Sequence, residues 1–388
     1  MLNRSSYSLE FARQISRDAD IHRVAATIMR KNKAKYSNIM ANIHRFIQSA
    51  FIFLSIAGLS QATVRAFMFW NAPQMGLLFA VKDGGLYRHS ENIVLGVGAY
   101  VWSNRILSPY MLFGMTKFGM TYQMAAIIFY WVGIFLNNYV FYYLMRKSSV
   151  PVAASFAWLV AFNLFFIIFQ DKTSHGCFYT WDMLCILFFS IFAYFVVTEK
   201  PVAWFIPLFL IAITNREDAA FIALYLILSS VVITGFHYRK WVVLKLRLLT
   251  GVALMAAGFL FTTWARNHFT TDRPPVGNVT YGNTVISVKT ALHNLFIKNF
   301  DGERDSFFFK IPDGFWLIAS SFCVMYFFRS VNRPRQHLIM IYLMLVASIV
   351  VFGNHLENET RLYMPLFPIF AFIMAGPLLQ KTLKGHSA

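Results

Sequence analysis

Long apolar runs dominate this sequence and set the limits on its fold. They recur along almost the whole chain, and each is at or close to the length of a membrane span. They lie at about 46–69, 122–145, 152–169, 178–197, 202–214, 219–235, 247–265, 313–328, 337–353 and 362–380. Because a bilayer offers no water to unpaired backbone groups, such runs are predicted to be helices. The predicted fold class is therefore all-α, a polytopic transmembrane helical bundle of about ten spans.

The composition agrees with a membrane protein. Of the 388 residues, 57% are hydrophobic and only 13% are charged, and the mean hydropathy is +0.53. A soluble chain has roughly a quarter of its residues charged. The three cysteines form neither a disulfide framework nor a zinc pattern. The net charge of +18 is spread over membrane flanks rather than gathered in one patch, which argues against nucleic acid as a partner.

The distribution of basic residues predicts the orientation. An even number of spans puts both termini on one side, and the segments on that side hold more of the 35 Lys and Arg. Both termini are therefore predicted to be cytoplasmic. We expect a basic N-terminal arm (1–45) that is attracted to anionic membrane lipids, a transmembrane domain (46–380) and a tail (381–388). Two long outer loops are expected at 70–121 and 266–312, the first with interfacial helices.

Twelve of the 17 Asp and Glu fall on the predicted outer side, and four clusters of ionisable residues are found there. The last cluster, in FGNHLENETRLYMPLFPIF (352–370), holds His355, Glu357, Glu359 and Arg361. A solvated loop with a Glu357–Arg361 pair at helical spacing is one interpretation. The crowding of four ionisable groups into a short turn favours a site.

A second cluster, AITNREDAAFIA (212–223), separates two apolar runs. Asn215 and Asp218 have the spacing of a helix cap and its reciprocal partner. Capping does not account for Arg216 and Glu217. Both are predicted to lie near membrane depth, where an uncompensated charge costs at least ~2–3 kcal/mol. They are therefore expected to line a wet cavity walled by protein.

The remaining clusters flank two other spans. FQDKTSHGCFYTWDML (169–184) holds His175 and Asp182. Asp182 lies about one turn into its span and is expected to face protein, where a structural hydrogen bond is the alternative role. The first outer loop holds Asp83, Arg88 and Arg105. Asp83 precedes two glycines, which is also ordinary turn chemistry.

Together these clusters predict one kind of chemistry. An outward carboxylate can take a proton from a hydroxyl, and arginines can neutralise a phosphate. The four candidate arginines are Arg88, Arg105, Arg216 and Arg361. A substrate with an anionic head group at the membrane surface and a lipid tail in the bilayer fits both features. The chain has no phosphate-binding loop, dinucleotide fingerprint or hydrolase motif of the familiar kinds.

Four stretches resemble integral-membrane glycosyltransferases of the GT-C superfamily. They are KDGGLYR (82–88), WSNRILSPY (102–110), YTWDML (179–184) followed by TNRED (214–218), and NHLENETRLYMPLFPIF (354–370). The resemblance implies transfer of a sugar from a polyprenyl-phosphate-linked donor to a lipid or glycan acceptor, on the periplasmic side of a bacterial inner membrane. The chain departs from the family pattern in having one acid, Asp83, where a pair is usual. No large extracytoplasmic C-terminal domain is expected after the last predicted span, which favours a small surface-polysaccharide or lipid-modifying type.

The resemblance also implies roles for the candidates. Asp83 would be the general base, and the four arginines would bind the substrate phosphate. Sugar or acceptor would contact His175, Asp182, Glu217, His355, Glu357 and Glu359. No definite cofactor is predicted. A divalent metal held by Asp83, His355 and a glutamate is an open alternative, although no spacing demands it.

Two other function classes stay open. A transporter or flippase of a lipid-linked saccharide would use buried charge to guide an anionic substrate, and a polysaccharide polymerase or ligase would share the outward arginines. A transporter is expected to have polar residues through the full membrane depth, and often internal repeats. Here the ionisable groups gather at one side, with Asp182 and Arg65 as the main exceptions, so an enzyme is favoured.

Overall fold

The fold is described from a computed structural model. The described residues are 29, 35–37, 39–66, 105–173, 180–232, 241–269, 313–327, 333–352 and 364–375. The chain divides into two units, Met1–Ala57 and Gly58–Ala388, and the site below belongs to the second. Most of the predicted arm, residues 70–104 and 270–312 of the two loops, and the tail (381–388) lie outside the described ranges.

Within the described ranges the regular structure is helical and contains no strand, so the all-α prediction is confirmed. The helices are α1 Lys35–Ala66, α2 Leu107–Lys117, α3 Tyr122–Lys147, α4 Val152–Thr173, α5 Thr180–Val197, α6 Val202–Ile213, α7 Ala220–Val232, α8 Trp241–His268, α9 Asp313–Phe327, α10 Arg333–Phe352 and α11 Leu366–Met374. A short 3-10 helix, Glu217–Ala219, precedes α7. Each apolar run of the sequence overlaps one of these helices.

Three helical stretches in the described part are long and apolar enough to cross a membrane: Lys35–Ala66, Met124–Lys147 and Lys245–His268. Shorter apolar helices accompany them at Val152–Ile167, Trp181–Val197, Val202–Ile213 and Phe315–Tyr326. These lengths and compositions are those of a membrane protein.

The centre of the second unit is built from α5 and α11. Helix α5 packs against α2, α3, α6, α10 and α11. Helix α11 is buried along nearly its whole length, as expected for a helix that is apolar on all sides. Its Phe367 and Phe372 contact Phe141 of α3, and Phe367 also contacts Phe162 of α4. These aromatic contacts pack α11 against α3 and α4.

Helices α6 and α7 form a hairpin. The ring centroids of Phe205 and Tyr225 are 5.6 Å apart. Phe205 lies eleven positions before Arg216 in the turn, and Tyr225 lies nine positions after it. Such a contact requires the two helices to run back along each other. Helix α6 has only 12 residues, and Pro207 lies inside it. The turn between the two helices is where the candidate cluster at 212–223 lies.

Helix α8 packs closely against this hairpin at two glycines. A Cβ added to Gly251 would lie 2.9 Å from the backbone oxygen of Ala223 and 2.8 Å from Cγ1 of Ile227. A Cβ at Gly258 would lie 2.9 Å from Cζ of Phe209. Small residues at such crossings let helix backbones approach closely, as is common in membrane proteins.

A buried hydrogen-bond network joins α1, α3 and α4. Asn138 donates from Nδ2 to Oγ of Ser60 over 2.8 Å and to Oδ1 of Asn163 over 3.1 Å. Asn163 donates in return to Oδ1 of Asn138 over 2.9 Å, and the hydroxyl of Thr63 reaches Oδ1 of Asn163 over 2.8 Å. All four side chains are buried. The amides therefore satisfy each other across helices, which is how polar groups connect helices in lipid.

Candidate functional site

Three segments that are far apart in the sequence meet at the α6–α7 turn. The backbone N–H groups of Ile106 and Leu107, at the start of α2, both donate to the carbonyl of Thr214 over 2.9 Å. Asn215 donates from Nδ2 to the carbonyl of Trp181, at the start of α5, over 2.7 Å. These bonds hold three parts of the chain together: Ile106 and Leu107 at the start of α2, the first turn of α5, and the α6–α7 turn. We call the ionisable side chains that they gather the charge cluster: Arg105, Asp182, Arg216, Glu217 and Asp218.

Arg216 is the buried centre of the charge cluster. Its Nη1 donates to Oδ1 of Asp182 over 2.6 Å, and its Nε lies 2.9 Å from Oδ2 of Asp218. The Arg216 side chain is 3% exposed and that of Asp182 is 1% exposed. Its backbone is extended, with φ −163° and ψ 144°, which breaks the helical path between α6 and the 3-10 helix. Two carboxylates compensate this cation, as burial at such a depth requires.

The electrostatics of the turn favour a charged Arg216. Burial lowers the pKa of Arg216, but the carboxylates of Asp218 and Asp182 raise it, and the net direction is upward. Burial raises the pKa of Asp218, and Arg216 opposes part of that rise. Arg216 is therefore a permanent cation, while Asp218 takes up a proton more readily than an aspartate in water.

Arg105 and Glu217 form the more accessible half of the charge cluster. Nη2 of Arg105 lies 3.1 Å from Oε1 of Glu217, and the Arg105 guanidinium carbon lies 5.1 Å from the ring centroid of Trp181. The Arg105 side chain is 8% exposed, whereas that of Glu217 is 36% exposed. The indole face and the carboxylate together fix the guanidinium. Glu217 is thus the carboxylate of the cluster that solvent or a substrate reaches most easily.

Buried polar atoms of Arg105 and Asn215 make no hydrogen bond within the described residues. Nε of Arg105 and Oδ1 of Asn215 are buried and have no hydrogen-bond partner within those ranges. Unsatisfied buried polar atoms are rare in native proteins and call for a water, an ion or a ligand. The three carboxylates outnumber the two arginines, so the ionised cluster carries one excess negative charge. Chemically, the arrangement offers a fixed cation, a reachable carboxylate and unused hydrogen-bonding capacity.

Four of the eleven predicted site residues come together here: Arg105, Asp182, Arg216 and Glu217. Asp182 faces protein, as predicted, and its hydrogen bond to Arg216 is the structural role that the sequence left open. The other seven lie outside the described residues. They are Asp83, Arg88, His175, His355, Glu357, Glu359 and Arg361.

One sequence interpretation is wrong. Asn215 does not cap a helix: it donates to the carbonyl of Trp181, and Arg216 is the residue that precedes the 3-10 helix, without a side-chain cap. Asp218 pairs with Arg216 instead of completing a reciprocal cap. The physical reason is that both side chains find partners from other parts of the chain, which a local spacing rule does not consider.

Sequence analysis missed two members of the site. Trp181 stacks under Arg105, and Cys185 lies with Sγ 3.9 Å from Oδ2 of Asp218. The signal for Cys185 was its spacing of three positions from Asp182, since residues three or four positions apart on a helix are neighbours on its surface. Trp181, one position before Asp182, had no such signal.

The metal alternative finds no site among the described residues. No group of three His, Cys, Asp or Glu there is placed to hold an ion. The acids of the charge cluster are turned toward arginines. Asp83 and His355, two of the ligands considered for a metal, lie outside the described ranges.

An apolar cavity of about 440 Å³ lies between α4, α9, α10 and α11. Its wall includes the aromatic side chains of Trp158, Phe165, Trp316 and Phe370. Tyr342 also lines it, and its hydroxyl is in hydrogen-bonding contact with that of Ser320. A cavity with this lining suits an apolar chain rather than a polar ligand.

Comparison with known proteins does not assign this chain to a family. No protein-family model, no curated protein and no solved structure matches the chain.

Proposed function

We propose that this protein is a multi-pass glycosyltransferase of a bacterial inner membrane. It transfers a sugar from a polyprenyl-phosphate-linked donor to a lipid or surface-glycan acceptor on the periplasmic side. One observation carries the proposal: Arg105, Asp182, Arg216 and Glu217, each a candidate on chemical grounds, lie in one buried cluster. Arginine suits a phosphate and a reachable carboxylate suits a hydroxyl, which are the two groups that such a transfer must handle.

The proposed topology puts the charge cluster on the periplasmic side. About ten spans with both termini cytoplasmic would follow the positive-inside tendency. Basic residues support this orientation: α3 ends at Arg146 and Lys147, and α10 begins at Arg333. The α6–α7 turn would then be at the opposite, periplasmic end. The bundle would be GT-C-like, with α2 as an interfacial helix of the first outer loop.

The proposed roles follow exposure and partners. Asp83 is the general base, and Arg88, Arg105 and Arg361 bind the phosphate. Arg216, with both Asp182 and Asp218 beside it, keeps the turn in place and contributes its positive field. The other candidates orient sugar or acceptor: His175, Glu217, His355, Glu357 and Glu359. The apolar cavity beside α4 and α11 supports a substrate with a lipid tail.

The test is a transfer assay with the full chain in lipid nanodiscs. A panel of polyprenyl-phosphate hexoses and pentoses, labelled in the sugar, is incubated with lipid and glycan acceptors. We expect label on an acceptor with the wild type, and a rate lowered by about 10²–10⁴-fold in Asp83→Asn, as for loss of a general base. Glu199→Gln, a change at an exposed carboxylate, is the matched control and should transfer at the wild-type rate.

The proposal fails if the folded wild type moves no sugar from any donor of the panel. It also fails in its assignment of the base if Asp83→Asn transfers as fast as Glu199→Gln. A polymerase or ligase would give label on a repeating glycan instead of a single added sugar, which analysis of product size distinguishes.

A transporter or flippase of a lipid-linked saccharide is the second candidate. The buried network of Ser60, Thr63, Asn138 and Asn163 favours it, because it places polar groups in the interior of apolar helices. Those groups bond to each other, however, as a structural connection between helices would require. In sealed vesicles a flippase would move the label across the bilayer with the sugar still attached to its lipid.

A further inference from the structure

The contact between Arg105 and Glu217 has the properties of an occupied anion site. The whole Arg105 residue is 6% exposed, and its guanidinium is held over the face of Trp181. Its Nη2 contacts one carboxylate oxygen over 3.1 Å, while its Nε has no acceptor among the described residues. A phosphate has three or more oxygens and can accept from two guanidinium nitrogens at once. Arg105 therefore has a donor available that Glu217 does not use.

Glu217 is the partner best able to leave. Its side chain is 36% exposed and belongs to the first residue of a three-residue 3-10 helix. The backbone on either side is held, because Arg216 is paired with Asp182 and Asp218. A rotation of the Glu217 side chain toward solvent breaks its ion pair with Arg105, and an arriving phosphate replaces the negative charge that the buried guanidinium loses. The same exchange at Arg216 would break two contacts in a side chain that is 3% exposed.

The structure assigns Glu217 as an intramolecular competitor at Arg105, which a substrate phosphate displaces on binding. Displacement frees the Glu217 carboxylate beside the bound phosphate, where it can accept a hydrogen bond from the acceptor hydroxyl. Binding is thereby sequential, because the carboxylate becomes available to the acceptor only after the phosphate has arrived. This inference rests on the proposed function for the identity of the acceptor, but not for the exchange itself.

The surrounding charges permit the exchange. Among the described residues, the charged groups close to Arg105 and Glu217 are Asp182 on α5 and Arg216 and Asp218 in the turn. Two of these are acids that repel an incoming phosphate, but both are paired with Arg216. When Glu217 turns away, the phosphate replaces one negative charge on Arg105, so it does not meet an anion that is already in place.

The experiment measures phosphate affinity with the full chain in nanodiscs. One arm titrates inorganic phosphate in the aqueous phase, and the other titrates a long-chain alkyl phosphate dissolved in the bilayer. In Glu217→Gln the competitor is removed without loss of size, and we expect the Kd to fall about two- to five-fold. In Arg105→Gln the Kd should rise at least about ten-fold. In the double variant the benefit of Glu217→Gln should vanish.

The matched controls are Glu199→Gln and Arg45→Gln, two exposed residues outside the cluster, and neither should change the Kd. Arg105→Lys keeps the charge and should bind more tightly than Arg105→Gln, which keeps the test valid if the glutamine variant unfolds. Tightening in both arms identifies any phosphate as the displacing group, and tightening in the bilayer arm alone identifies a lipid headgroup. A Kd that is unchanged or higher in Glu217→Gln in both arms overturns the exchange.

These outcomes are separable from the proposed function. If Glu217→Gln tightens phosphate binding but no sugar is transferred by the wild type, the exchange stands and the glycosyltransferase proposal fails. If the wild type transfers sugar but Glu217→Gln binds phosphate no more tightly, the exchange fails alone. If both hold, Glu217→Gln should combine tighter phosphate binding with slower transfer, because the freed carboxylate is missing.

Discussion

The guanidinium of Arg216 donates a 2.6 Å hydrogen bond to the carboxylate of Asp182, a residue 34 positions earlier in the first turn of another helix. Both side chains are almost completely buried. A buried ion pair is weak support for net stability, but removing one partner leaves an uncompensated charge. The free energy of unfolding is therefore expected to fall most when only one of the two charges is removed.

Breaking this pair gives the first prediction. Arg216→Met should lower the free energy of unfolding by about 3–5 kcal/mol, because Asp182 and Asp218 lose their common cation. The double variant Asp182→Leu with Arg216→Met should lose less than Arg216→Met alone. Reversible unfolding in detergent measures these two variants and the single variant Asp182→Leu, with Lys147→Gln as an exposed control expected within about 0.5 kcal/mol of the wild type. A double variant that loses the sum of the two single losses would show that the pair is not coupled.

The amide pair between α3 and α4 gives the second prediction. Asn138→Ala and Asn163→Ala should each destabilise the fold, since each leaves a buried amide without its partner. In a double-mutant cycle the coupling energy should be about 0.6 kcal/mol and at most about 1.7 kcal/mol, the range found for interhelical hydrogen bonds in lipid. Strictly additive losses would exclude a direct bond between the two side chains.

The contact of α8 with α7 gives the third prediction. Gly251→Ala should destabilise by about 1–3 kcal/mol, because the new methyl group meets the Ala223 carbonyl, which is backbone and cannot move aside. Gly114→Ala in α2 is the matched control, since nothing lies within 4 Å of its Cβ position. That change should be neutral or stabilising by up to about 1 kcal/mol, from helix propensity alone. The melting temperature should fall in Gly251→Ala but not in Gly114→Ala, and an unchanged melting temperature in Gly251→Ala would contradict the close crossing.

The pKa of Asp218 gives the fourth prediction. Burial raises this pKa above its ordinary value of 3.8, so between that value and the raised one the folded state binds more protons than the unfolded state. Linkage then makes stability fall as the pH rises through this window. Asp218→Asn lacks this contribution. The difference in melting temperature, wild type minus variant, should therefore become more positive as the pH is lowered from neutral toward 3.8.

The control for the pH series is Glu199→Gln, whose melting temperature should follow the wild type at every pH. A difference between wild type and Asp218→Asn that is flat, or that becomes more negative on acidification, would mean that pairing with Arg216 outweighs burial at this carboxyl.

The helices could be predicted from the sequence because hydropathy and helix length are local properties. Helix α3 covers Tyr122–Lys147, where the apolar run predicted 122–145, and α5 covers Thr180–Val197, where it predicted 178–197. The bounds of α8 differ more. It begins at Trp241, six residues before the run at 247, and includes Lys245 and Arg247. Basic side chains reach water from the end of a helix, so they do not end it.

The site was only partly predictable. Arg216, Glu217 and Asp182 stood out because charge is rare beside apolar runs, but their partners did not. The pairing of Arg105 with Glu217 joins residues 112 positions apart. The aromatic surface beneath Arg105 comes from Trp181, which no charge pattern marks. The capping interpretation of Asn215 failed for the same reason, because its partner is the Trp181 carbonyl, 34 residues away.

By itself, the sequence determined that this chain forms apolar helices of membrane length and that its acids and arginines collect at their ends. Those properties depend on each segment's own free energy of transfer from water to lipid and on backbone groups that must bond within the segment. The tertiary structure alone decided which helix ends meet: that Arg216 is fully engaged by Asp182 and Asp218, and that Arg105 faces the more exposed Glu217. Pairing among buried charges depends on ångström distances between distant segments, and only the packing of α2, α5 and the α6–α7 hairpin sets those distances.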